Sequence, residues 1–170
     1  MTTLTIMQGD ITRQNVDAIV TAANAALLGG GGVDGAVHEA AGPDLLIACQ
    51  KLGGCPSGEA RITPGYRLPA RWVIHTVGPV WQGGNAGEDA ILAQCYRQCF
   101  AVAREYGLRS VAFPSISTGA FGFPVRRAAR IALTEIKQML RQTEFESIVV
   151  VCFEPEVYTA YRMLRAEIGV

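Results

Sequence analysis

The chain has 170 residues, with fifteen Lys and Arg against fifteen Asp and Glu and so no formal net charge. An apolar content of 49% excludes a disordered chain, and the length supports one core in a single domain spanning residues 1–170. Zero net charge gives no long-range field for nucleic acid or an anionic membrane, so any bound anion must be held locally.

The opening stretch, MTTLTIMQGDITRQNVDAIV, has neither the basic start nor the apolar run of a signal peptide, and the cytoplasm is the expected compartment. Runs rich in β-branched residues predict strands at residues 4–7, 17–20, 60–63, 72–77, 110–114 and 147–153. Helical spacing predicts one helix over residues 34–52 and a second over 88–106, stopped at Gly107. A third carries Val125, Ala129, Ala132, Leu133, Ile136 and Leu140 on one stripe, with Pro124 in its first turn. A fourth starts at Pro155. Strands alternating with helices, the late ones buried and rich in Val, argue an α/β sandwich: a mixed sheet with helices on both faces.

Five cysteines are an odd number at irregular spacing, in a chain large enough to need no disulfide. Cys95 and Cys99 stand four apart on a helix, but no CxxC or HxxxH accompanies them, and they are read as reduced core thiols. No metal and no cofactor is expected.

Four segments share one property: each directly follows a predicted strand. They are GDIT at 9–12, TAANAALLGGGGVDG at 21–35, SISTGAFG at 115–122, and Phe153-Glu154. Open α/β sheets bind ligands at the carboxyl ends of their strands, so strands running the same way would gather all four on one rim. Residues 30–35 satisfy GxGxxG, yet nine residues separate Val20 from Gly30, which removes the tight turn of a dinucleotide fold. A Walker loop is excluded because neither Lys51 nor Lys137 follows a glycine. Glycines ending at a helix N-terminus leave N–H groups uncovered, which suits a phosphate; the alternative is a plain surface loop. Ser117, Thr118, Gly119, Ala120, Phe121 and Gly122 repeat that arrangement before the Pro124 helix. Two such cradles on one rim point to a diphosphate.

Asp10 reads either as a surface turn residue or as an acceptor for an exocyclic amine such as that of adenine. Phe153 reads as core or as a face for a base. Asp34, at a helix start, is a cap or a group that orients or deprotonates a water, with Asn24 fixing a substrate hydroxyl. His38 and His75 are read as structural.

Taken together, GDIT, AANAALLGGGGVDGAVHEAAG, CPSGEARIT, VIHTVGPVW, ISTGAFGFP and VVVCFEPE resemble the macrodomain family, in particular its bacterial O-acetyl-ADP-ribose deacetylase (MacroD-type) branch, over roughly residues 5–164. The resemblance implies a three-layer α/β/α macrodomain with a mixed, mostly parallel central sheet that binds ADP-ribose. It implies that Asp10 accepts from the adenine amine, that the Ile11 N–H meets the ring, and that Phe153 stacks on it. Gly31, Gly32, Val33 and Gly35 would line the proximal phosphate and distal ribose, and residues 117–122 the diphosphate, with Phe121 beside the distal ribose. Asn24 and Asp34 match the catalytic pair, the Asp helping to activate a water that cleaves an ester on the distal ribose. That ester is an acetyl group or the link to an Asp or Glu side chain of a modified protein. The expected partners are therefore ADP-ribose derivatives and ADP-ribosylated proteins, met by a monomer, with no membrane or nucleic acid. A non-catalytic reader and an ADP-ribose-1''-phosphate phosphatase are the alternatives. One departure stands out: the family usually has Asn where this chain has Thr21, and a change of local packing is expected there.

Overall fold

Strands as continuously apolar as AIVTA and SIVVVC need cover on both faces, and both are buried almost throughout. The computed structural model describes residues 1–142 and 144–170. In chain order the elements are β1 (Thr3–Gln8), a 3-10 turn (Ile11–Arg13), β2 (Ala18–Ala22), α1 (Gly32–Ala41), α2 (Pro43–Leu52), β3 (Ala60–Pro64) and β4 (Trp72–Thr76). There follow α3 (Glu88–Glu105), β5 (Ser110–Phe113), α4 (Val125–Leu140), β6 (Ser147–Cys152) and α5 (Pro155–Ile168). The six strands form one sheet in the order β1-β6-β5-β2-β4-β3. Five run parallel, and β3 alone is antiparallel, to β4.

Alternation along β2 and β4 divides the core into two layers. Val20 and Ile74 pack with Leu92, Phe100, Ala132 and Tyr161 of α3, α4 and α5. Ile19 and Val73 pack with Val37, Ala41, Leu45 and Cys49 of α1 and α2. This is the expected three-layer arrangement of a mixed, mostly parallel sheet between helices. All five cysteines are free and buried in those layers.

Two boundaries differ from expectation. The single helix expected over residues 34–52 is two helices, broken at Gly42 and Pro43. Gly42 takes φ +86°, where a Cβ would lie 3.0 Å from the Arg67 side chain, and the following proline disfavours helical backbone at the residue before it. Pro124 caps α4 from outside rather than sitting in its first turn: its ψ of 128° is extended, and its carbonyl accepts from the Ala128 N–H at 2.9 Å. Among the described residues no helix is long and apolar enough to cross a membrane.

Candidate functional site

Because β1, β6, β5 and β2 run parallel, the chain leaves all four at the same edge of the sheet. The strand order then sets the order of the loops along that rim: Asp10, Phe153, residues 115–122, residues 23–34. Three strand spacings separate the first from the last, about 14 Å.

At one end, the Gly9 N–H donates to the Cys152 carbonyl at 3.0 Å, so Asp10 and Phe153 follow adjacent strand ends. Phe153 is 75% exposed, which settles its alternatives against the core. Asp10 caps the 3-10 turn: its Oδ1 accepts from the Thr12 hydroxyl at 2.6 Å and the Thr12 N–H at 2.9 Å. The hydroxyl first, then the N–H and the Arg13 guanidinium, outweigh its desolvation and hold its carboxyl below the ordinary range. The Ile11 side chain is buried against the α1 and α2 layer and anchors this turn.

In the centre, residues 117–122 form a tight loop. Ser117 is buried at φ +67°, and its carbonyl accepts from the Phe123 N–H at 2.9 Å. The Thr118 hydroxyl donates to Ser115 Oγ at 2.8 Å, and the Gly122 N–H donates to the Gly119 carbonyl at 3.0 Å. Gly119, Ala120 and Gly122 are exposed, and Phe121 is half-buried. The helix that follows, α4, starts without a side-chain cap.

The loop after β2 is latched by Asn24. The Leu27 N–H donates to its Oδ1 at 3.0 Å, and its Nδ2 donates to the Gly29 carbonyl at 2.9 Å. Gly31 caps α1 and has no side chain to do it with, so the first N–H groups of that helix, at Gly32, Val33 and Asp34, have no side-chain acceptor. The Gly35 N–H is taken by the Gly31 carbonyl at 3.2 Å. Gly35 serves spacing instead: a Cβ there would overlap the Gly30 carbonyl oxygen and lie 3.4 Å from its carbon.

Asp34 is only 4% exposed and caps nothing. Its Oδ1 accepts from the Thr21 hydroxyl at 2.9 Å, His38 Nε2 stands 3.8 Å from that same oxygen, and its Oδ2 has no hydrogen-bond partner. Burial raises its carboxyl above the ordinary aspartate value, and Thr21 and His38 offset part of the rise. The rim thus holds two helix starts without side-chain caps, one on each face of the sheet, an ionised acceptor with an exposed aromatic at one end, and a buried carboxyl beneath the other.

The family profile described as Macro domain matches residues 20–132. The chain is 58% identical over 152 residues to a Macro domain-containing protein of Methanosarcina mazei, covering 89% of this chain and 81% of that one. It is 49% identical over 169 residues to "O-acetyl-ADP-ribose deacetylase 1" of Pantoea vagans, covering 96% and 99%. The chain belongs to the Macro domain family. Its fold superposes on a point mutant of the Oceanobacillus iheyensis macrodomain with ADPR at a TM-score of 0.93, with 43% identity over 96% of this chain and 92% of that one. For the Trypanosoma brucei macrodomain in complex with ADP-ribose the TM-score is 0.89, with 43% identity over 94% and 68%.

Beneath the glycine loop, this macrodomain buries a polar cluster in an otherwise apolar layer. Thr21 and His75 are register partners on β2 and β4, facing Asp34 and His38 of α1 and Cys49 of α2. His75 Nε2 lies 2.9 Å from Thr63 Oγ1, and burial pushes the imidazole down to about 4, so it stays neutral. Burial first, then the Asp34 charge, pushes the Cys49 thiol up to about 11, which removes it as a nucleophile. His75 is thus a buried neutral imidazole paired with Thr63. Among the described residues no three His, Cys, Asp or Glu side chains converge as a metal site.

Two further residues of the macrodomain shape the rim and were not singled out by sequence: Gly78, which packs under the central loop, and Glu88. The Glu88 carboxylate gathers the N–H groups of Gln82, Gly84 and Ala86 at 2.8, 3.0 and 2.7 Å. This clamp fixes the glycine-rich tip after β4, where the Trp81 N–H donates to the Phe121 carbonyl at 2.8 Å and the Trp81 ring packs on Phe123. The available signal was a glutamate in the first turn of a helix behind a glycine-rich loop.

Proposed function

We propose that this macrodomain binds ADP-ribose along the rim and hydrolyses an ester on its distal ribose. The substrates are O-acetyl-ADP-ribose, mono-ADP-ribose on acidic side chains of proteins, or both. The observation that carries the reading is the buried Asp34 carboxylate, with one oxygen fixed and the other unpartnered, set in the first turn of an uncapped helix. In this reading adenine stacks on Phe153 and donates its amine to Asp10, while the Ile11 N–H meets the ring. The diphosphate lies against the main-chain N–H groups of residues 117–122 and of the α1 start at Gly32 and Val33. Peptide dipoles at two helix starts then do what lysines do elsewhere, in keeping with a chain of zero net charge. The span of about 14 Å suits an extended nucleotide diphosphate sugar.

The ester carbonyl then sits by Asn24 and Asp34. Asp34, its basicity raised by burial, takes a proton from water as that water's oxygen bonds to the carbonyl carbon. The tetrahedral centre collapses with departure of the ribose oxygen, which takes up a proton and leaves ADP-ribose and a free acid. Asn24 orients the distal ribose with the amide N–H and lone pair its loop bonds leave over.

Incubation of the purified protein with O-acetyl-ADP-ribose, and separately with a glutamyl-ADP-ribosylated peptide, tests the reading. Release of acetate or of ADP-ribose supports it. Calorimetric binding of ADP-ribose with no product from either substrate establishes a reader instead. That second reading is favoured by one observation: both ends of the Asn24 amide already serve the loop.

A further inference from the structure

Asp34 is faced by Thr21 of β2, His38 on its own helix and Cys49 of α2, with His75 of β4 beside Cys49. Cys49 and His75 are both held neutral by burial. His38 Nε2, at 3.8 Å, is beyond hydrogen-bond distance. Among the described residues the Asp34 side chain therefore makes a single hydrogen bond, from the Thr21 hydroxyl. A threonine hydroxyl carries one proton, and this one is directed to Oδ1. Thr21 itself cannot drift, because it is fully buried at the end of β2 and its β-branched side chain is restricted about χ1.

We propose that Thr21 is the positioning residue of this site: its hydroxyl fixes Asp34 through Oδ1 and leaves Oδ2, itself buried, as the carboxylate oxygen with no partner. The two carboxylate oxygens are thereby made unequal before any substrate arrives. Without the hydroxyl the carboxylate is free to rotate, and the buried charge loses the bond that compensates its desolvation. This inference rests on the hydrolase reading above.

The test uses Thr21→Val, which keeps the shape and removes the proton donor, and Thr21→Ser, which keeps the donor. Thr21→Ala replaces the Val variant if melting shows that the latter does not fold. Turnover of O-acetyl-ADP-ribose is followed against pH, with ADP-ribose affinity measured in parallel. The Val variant is expected to lose on the order of tenfold to a hundredfold in kcat, with KM and ADP-ribose affinity little changed. The acid limb of its kcat profile moves to higher pH, and the Ser variant recovers both rate and profile. An active wild type whose Val variant keeps the same kcat and profile overturns the assignment while leaving the hydrolase reading intact. A wild type that binds ADP-ribose but releases no product overturns the hydrolase reading itself and the catalytic role of Thr21 with it. The Thr21–Asp34 coupling is then judged by carbon NMR titration of Asp34. A higher apparent pKa in the Val variant supports the bond, and an unchanged one refutes it.

Discussion

Gly78 and Ser117 approach so closely that a Cβ on the former would overlap the Oγ of the latter and lie 2.9 Å from Ile116 Cγ2. Ser117 already sits at φ +67° and is buried, so it has little room to move away. Gly78→Ala is expected to cost about 1–3 kcal/mol through overpacking and to weaken ADP-ribose binding by displacing the 117–122 loop. Melting and calorimetry on the same preparation check both effects.

Asp34→Asn should separate stability from activity. A folded carboxyl raised above its unfolded value of 3.8 costs stability that grows as pH rises from 3.8 to the folded value and is complete above it, where the buried group is charged. Below 3.8 the acid is neutral in both states and that cost vanishes. The Asn variant is therefore expected to melt higher than wild type at neutral pH, with the gap closing under acid conditions. Its turnover should fall on the order of 10²–10⁴-fold while ADP-ribose still binds.

Phe153→Ala should leave the melting temperature of the free protein nearly unchanged, since the ring is 75% exposed. Affinity for ADP-ribose should drop by about fivefold to a hundredfold, the usual worth of one aromatic stacked on a base. Asp10→Ala should weaken affinity too, and should also lower stability by about 0.5–2 kcal/mol through the lost cap on the 3-10 turn.

Glu88 predicts an acid-sensitive tip. Backbone donors, Gln82 foremost, then its own N–H, then Gly84 and Ala86, depress the folded carboxyl to about 2 from an ordinary 4.5. A depressed acid contributes stability above its unfolded value and loses it as pH falls through the folded one, here from 4.5 down to about 2. Glu88→Gln should melt below wild type at neutral pH, and the two should converge as pH approaches 2. Scanning calorimetry across that range tests the sign.

The six strands were legible to within two residues because short, β-branched apolar runs between turn residues match a buried strand far better than a helix. The break at Gly42 and Pro43 was not, since Val37, Ala41, Leu45 and Cys49 keep helical spacing straight across it. The 3-10 turn at Ile11 is too short to show any period. The gathering of Asp10, Phe153 and the two glycine loops could be anticipated from one shared property, their place after strands. Pairings between distant residues could not. Thr21 with Asp34, Thr63 with His75, and Glu88 with the tip preceding it exist only once the sheet has set their register.

Helix starts that lack a side-chain cap, as at α1 and α4, present bare peptide groups. Peptide groups do not titrate across the range in which proteins stay folded, and they cannot swing aside as a lysine does. A pyrophosphate held there meets the same donors in acid and in mild alkali, so only its own ionisation would tune that part of the affinity. Outward side chains on those turns are then free to vary with little effect on the grip, provided the course of the backbone is kept.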